Sequence, residues 1–131
     1  MAYWLFKTEP SCYSYENLEH DKKSTWDGVT NALALKYLRQ IRKGDQALIY
    51  HTGDVRAVIG IAEISSEPYV DPKLNDPKLV VVDLKPKRRL GKPITLAEIK
   101  ANNEFQDFLL VKMGRLSVMP VTDHQWKLLV G

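Results

Sequence analysis

Apolar positions come in short blocks along this chain, and their spacing changes from block to block. Tyr3 to Lys7 opens with aromatic and apolar residues and reads as a first strand. It is stopped by Glu9-Pro10, because the proline ring biases the preceding residue away from helix. Ser14 is placed to cap a short helix through Leu18. Asp27-Gly28 signals a turn directly after Trp26, and Asn31 stands where a helix cap belongs. Beyond it Ala34, Leu35, Leu38 and Ile41 form one helical stripe, with Lys36, Arg39, Gln40 and Lys43 largely off it. Gly44 ends that helix. Gln46 to His51 is the next strand, Gly53-Asp54 a turn, and Val55 to Ser65 another strand.

Residues 66–77 hold Pro68, Pro72 and Pro77 among Asp71, Asn75 and Asp76, which predicts a long loop. In Leu79 to Lys85, Val80, Val82 and Leu84 alternate with Val81, Asp83 and Lys85, so a strand follows. Pro86 marks a sheet edge or the end of full pairing. Thr95-Leu96-Ala97-Glu98 is a capping box opening a helix through Ala101, and Phe105 and Phe108 mark a further helical turn. Leu116 to Val121 is a last strand. Thr122 to Gln125 is a second box, opening a terminal helix with Trp126 and Leu129. The order is strand, helices, a block of strands, then short helices. It predicts an α+β fold with a mostly antiparallel sheet rather than regular βαβ alternation.

The chain has 131 residues, which fits one domain with a core of its own. Apolar residues make up 44% and charged residues 27%, ordinary for a globular domain. The longest near-apolar run, Ala57 to Ala62, is far short of the roughly 20 residues a membrane span needs. The first residues carry neither a basic segment nor a small-residue cleavage site, so no signal peptide is expected. Cys12 is the one cysteine, which excludes an intrachain disulfide and a thiolate metal cluster. A reducing, cytoplasmic setting follows as the expectation.

Net charge is +3. Residues 1–65 carry eight bases and eight acids, whereas residues 66–131 carry 11 bases and eight acids. The excess centres on Lys85, Lys87, Arg88, Arg89 and Lys92, with no acid among them. Such a run is either a solvated strand end that deters edge pairing or a phosphate-contacting patch.

Candidate chemistry is sparse. His20, His51 and His124 lie in different segments without ligand spacing, so neither metal nor other cofactor is expected. Ser117 is not in a nucleophile elbow, Cys12 has no activating neighbour, and no glycine-rich phosphate loop is present. What remains is a polar group, Lys7, Thr8 and Glu9, at the mouth of the first strand. Lys7 and Glu9 alternate with Thr8, which shares a side with Phe6. Trp26 beside its tight turn reads as core or as a ligand platform. Ile49-Tyr50-His51-Thr52 ends a strand in groups that hydrogen-bond.

Together these segments resemble the EVE domain family. The matching pieces are Tyr3-Trp4-Leu5-Phe6-Lys7-Thr8-Glu9-Pro10 with Tyr13-Ser14, Trp26-Asp27-Gly28-Val29 with Asn31, and Leu38-Arg39 with Gly44-Asp45. Next come Tyr50-His51-Thr52, Gly60-Ile61-Ala62-Glu63, Tyr69 with Asp71-Pro72, Thr95-Leu96, Ile99-Lys100 and Arg115 through Val121. They run in family order along essentially the whole chain. Thr30 stands where family members often carry arginine. Met113-Gly114 replaces a more polar pair, and the middle, between Asp76 and Val80, lacks a longer aromatic-containing insertion.

The resemblance implies a PUA-like pseudo-barrel flanked by short helices, related to YTH and ASCH domains. It implies a non-catalytic reader of a modified, flipped-out base in DNA or RNA, with nucleic acid as partner and no membrane or metal. Trp26 then supplies the stacking surface, as the counterpart of a cage tryptophan. Thr8 and Asn31 read the base edge, helped by backbone amides around Phe6 and Lys7. His51 bonds the base or orients a wall, and Lys7, Arg115 and the Lys85–Lys92 run meet phosphates. Extruding a base costs a few kcal/mol, and stacking returns about 1–3 kcal/mol. A methyl adds about 1–3 kcal/mol, so preference for the modified base is limited to roughly tens of fold. Two other readings stand beside this one. One is a small ASCH-like hydrolase using Lys7, Thr8 and Glu63. The other is a structural domain with Trp26 and Trp126 in its core.

Overall fold

The computed structural model describes all residues 1–131. Its strands are β1 (Tyr3–Thr8), β2 (Ser24–Trp26), β3 (Gln46–His51), β4 (Ala57–Ile64), β5 (Tyr69–Val70), β6 (Val80–Thr95) and β7 (Val118–Val121). Its α-helices are α1 (Tyr15–Asp21), α2 (Ala32–Gln40), α3 (Leu96–Ala101), α4 (Leu109–Lys112) and α5 (Asp123–Val130), with a 3-10 turn at Asn103–Phe105. The sheet runs β2-β6-β4-β3-β1-β7, with β5 added on β6. All pairs are antiparallel except β1 with β3, which run parallel in register from Tyr3–Gln46 to Thr8–His51. A parallel pair needs a crossover connection, and here α1, β2 and α2 supply it.

The sheet curls into a half-barrel whose edges, β2 and β7, do not pair. Helix α2 packs on both β6 and β7 and so fills the open side. Its buried stripe is Ala34, Leu35 and Leu38, continued by Ile41 just past its end, as the periodicity predicts. Strand β1 is interior to the sheet, and Trp4, Leu5 and Phe6 are all buried, which accounts for its unbroken apolar run. Tyr15 is fully enclosed, and its hydroxyl donates to the Ile61 carbonyl at 2.7 Å.

The structure departs from the sequence reading in the middle of the chain. The expected strand Leu79–Lys85 continues to Thr95, through Pro86. Pro86 faces Ala62 where the β4–β6 register shifts, and at such an irregularity a missing N–H costs the ladder little. The loop 66–77 contains β5, held by Val80 and Val81, and ends in a turn where the Asp71 carboxylate accepts from the Lys73 amide at 2.9 Å. Strand β2, which ends on Trp26, has no alternating pattern long enough to announce it. The Thr122 box closes as predicted, with Gln125 as its partner. The Thr95 box forms only in half. The Thr95 hydroxyl accepts from the Glu98 amide, but the Glu98 carboxylate bonds that hydroxyl, 3.1 Å away, instead of the cap's backbone.

Candidate nucleic-acid interface

An open cavity of about 640 Å³ occupies the gap between the two unpaired edges of the half-barrel. Its walls come from the end of β1 (Lys7, Thr8, Glu9), the following turn (Cys12, Tyr13), β2 (Ser24, Thr25, Trp26), the connection Asp27–Asn31, and Ser117 just before β7. Its volume lies within the range of small-molecule sites. The polar strand mouth, the stretch from the tryptophan–turn unit to the helix cap, and Ser117 lie in three separate parts of the sequence, and the fold brings them together here.

Trp26 is 8% exposed, so most of the indole is core. Phe6 packs behind it with ring centroids 5.5 Å apart, and Tyr13 meets it edge-on at 6.1 Å. The remaining indole surface lies on the cavity wall, and its N–H has no partner in the protein without being sealed from solvent. The tryptophan is thus a rigidly backed platform: core support on one side, a reachable aromatic surface and a donor on the other. Phe6 is wholly buried and is support rather than wall, which corrects its assignment as a pocket residue.

Thr8 lines the cavity, but its hydroxyl donates to the Tyr13 carbonyl at 2.6 Å, so it offers an arriving group its lone pairs only. Asn31 caps α2 by accepting from the Ala34 amide at 3.0 Å, which leaves its side-chain NH₂ as donor. The Lys7 ammonium donates to the Gly114 carbonyl at 2.7 Å and lies 5.9 Å from the Tyr50 ring centre. Burial holds its pKa below the ordinary lysine value. The Lys7 amide is taken by the Ser117 carbonyl at 2.9 Å, so of the backbone donors expected around Phe6 and Lys7 that one is not free.

Free amides lie elsewhere. Gly28, Val29, Thr30 and Asn31 all line the cavity, and none of their N–H groups is used by a backbone partner. Gly28 makes this connection possible, since its φ of +79° is one that side-chain-bearing residues seldom adopt. A glycine directly after Trp26-Asp27 is the one sequence signal for these donors, and by itself it announces only a turn.

His51 is not part of the cavity wall. It is buried on β3, and its Nε2 accepts from the Tyr15 amide at 3.0 Å, which places the proton of the neutral ring on Nδ1. Burial, reinforced by the Arg89 charge and opposed by Glu9, lowers its pKa. His51 therefore pins the start of α1 instead of touching a base.

The basic run is also displaced. None of Lys85, Lys87, Arg88 and Arg89 lines the cavity. Lys85 pairs with Glu63 at 3.3 Å, and Arg89 makes a two-pronged pair with Glu19 at 2.7 Å while covering the Tyr15 ring. Arg115 lies beside the cavity, in an adjoining groove of about 320 Å³. The hydrolase set does not assemble. Glu63 faces Gln46 and, across β3, the level of Tyr3, whereas Lys7 and Thr8 lie level with Tyr50 and His51. The separation along the strands is about 13 Å at 3.3 Å per residue. Trp126 is core, stacked on Tyr3 at 4.1 Å. No group of three His, Cys, Asp or Glu side chains converges to hold a metal, and no helix is long and apolar enough to cross a membrane.

A curled mixed half-barrel, flanked by short helices and carrying an indole-walled cavity in its open side, is a PUA-like domain. The chain belongs to the EVE domain family, which it matches over residues 2–131. It is 29% identical to thymocyte nuclear protein 1 of Mus musculus, an alignment covering 98% of this chain and 72% of that protein. A protein of Rhodopseudomonas palustris solved by NMR superposes with a TM-score of 0.94 at 41% identity, covering 99% of this chain and 91% of the other. The human THYN1 protein, crystallised in complex with 5-methylcytosine containing DNA, superposes with a TM-score of 0.91 at 26% identity, covering 99% and 96%. An ASCH protein of Zymomonas mobilis shares the fold at 11% identity, with a TM-score of 0.59.

Proposed function

We propose that this protein is a non-catalytic reader of nucleic acid that takes one modified base, out of its stack, into the cavity beside Trp26. The observation that carries the proposal is an open cavity with ample room for a base, walled on one side by the Trp26 indole that Phe6 and Tyr13 brace. The likeness to a protein crystallised with 5-methylcytosine containing DNA supports it and favours DNA as partner. Stacking on Trp26 offsets part of the few kcal/mol that extrusion costs. The unused amides of residues 28–31, the Asn31 NH₂ and the indole N–H donate to base acceptors. Thr8, Glu9 and Asp27 accept from an exocyclic amine, and a carboxylate accepting from the cytosine N4 amine is a known pairing.

Binding of a duplex with one 5-methylcytosine, set against the same duplex unmodified or carrying 6-methyladenine, tests this reading. We expect the preferred modified duplex to bind about tens of fold tighter than the unmodified one. Trp26→Ala should weaken it by about tenfold or more. Equal binding of all three duplexes, or an unchanged affinity in Trp26→Ala, overturns the reading.

A further inference from the structure

The cavity walls carry one lysine and two carboxylates, Lys7 against Glu9 and Asp27. A cavity with that balance does not attract a polyanion. The phosphates on either side of an extruded nucleotide must find their cations elsewhere, and the run Lys85–Arg89 lies off the walls with two members paired. The adjoining groove has the missing charge. Lys112 and Arg115 line it, both exposed, neither with an ion-pair partner, and no acid lines it. Its apolar lining is Leu33, Met113 and Leu116, with Met113 41% exposed.

Two connections make the groove and the cavity one surface. Asn31 lines both, so they share a wall. Lys7, on the cavity side, holds the Gly114 carbonyl of the groove at 2.7 Å, which ties the loop 113–116 to the end of β1. A cationic rim over an apolar floor suits a nucleotide: phosphate to the rim, sugar and base face to the floor.

We infer that this groove is a second nucleotide subsite, taking the immediate neighbour of the extruded nucleotide on the same strand, with Lys112 and Arg115 meeting its phosphates and Met113 its sugar or base. The inference rests on the reading of the cavity as the base site. It makes the protein a reader of at least a dinucleotide, with part of its affinity outside the modified base.

The probes are 5-methyl-2′-deoxycytidine alone and two dinucleotides that add one thymidine on its 5′ or its 3′ side. One dinucleotide should bind about tenfold tighter than the nucleoside. That gain should vanish in Lys112→Ser/Met113→Ser while nucleoside affinity stays within about twofold. Both residues are exposed, so this variant should fold. Amide shifts of residues 112–116 should move with that dinucleotide and not with the nucleoside. Nucleoside binding without a gain from either neighbour overturns the subsite alone. So do groove shifts seen only with a full duplex, which would give the groove to the opposite strand. No binding of any probe overturns the cavity reading and the subsite with it.

Discussion

Two residues outside the cavity show what holds its frame. Gly60, on β4, is there because nothing larger fits: a Cβ would meet the Tyr15 ring at 2.7 Å and the Arg88 carbonyl at 3.0 Å. Tyr15 has no room to move, being fully enclosed and tied through its hydroxyl. Gly60→Ala is therefore expected to cost about 1–3 kcal/mol, read from the urea midpoint. An unchanged midpoint would show that Tyr15 yields. Asp45 is 5% exposed, and its carboxylate accepts from the amides of Ala2 and Arg42 at 3.0 and 2.9 Å and from the Trp4 indole at 3.0 Å. One anion thus fastens the start of β1 and the turn after α2. Removing it leaves three donors without an acceptor, so Asp45→Ala is expected to cost about 3 kcal/mol. Asp45→Asn, which keeps one acceptor oxygen, should cost less, and equal losses in the two variants would contradict this account.

At the scale of elements, the least visible connection is between α1 and β3. Helix α1 is short and closes its own Ser14–Asn17 box, but the Tyr15 amide is bonded to His51, 36 positions on. Because folding lowers the His51 pKa, the unfolded chain binds the proton more readily, and stability rises with pH across that interval. The contribution is whole above about pH 6.5, the unfolded value, and is lost as pH falls towards the lower folded value. Urea unfolding at pH 7.5 and 5.5 should show the parent weaker at pH 5.5. His51→Gln, which has an acceptor that does not titrate, should show less of that loss. Equal stability of the parent at both pH values would remove His51 from the account. Periodicity in the sequence reveals α2, whose apolar stripe is regular, and an unbroken apolar run reveals β3. The sequence pattern misses β2 because three residues, Ser24–Trp26, carry no period, and it cuts β6 at Pro86 because a register shift is a property of the pair and not of either strand. Similarly, His51 looks available in the sequence because the group that occupies it lies on another element.

The half-barrel is a device for leaving one side open: β2 and β7 stay unpaired, α2 plugs most of the gap, and the cavity is what remains. Trp26, Thr8 and Lys7 stand out in the sequence as oddities of their own segments, Asn31 reads there as an ordinary helix cap that only the family resemblance ties to the site, and all four line that cavity. The unused amides of residues 28–31 and the groove around Lys112 do not, since backbone donors and the meeting of two loops leave no mark in residue types. Charge is the most misleading signal. The densest basic run sits beside Glu19 and Glu63, which come from other elements and neutralise part of it, while the two isolated bases Lys112 and Arg115 stand free next to the cavity. Salt dependence of duplex binding separates these two sets. Every phosphate that a variant no longer neutralises should flatten the plot of log K against log salt by about 0.9. Lys112→Gln/Arg115→Gln should therefore reduce the slope by about 1.8 if both bases meet phosphates, whereas Lys85→Gln/Arg89→Gln should change it by less than about 0.5. The opposite ranking would return the phosphate path to β6 and place the nucleic acid across the sheet rather than across the open side of the half-barrel.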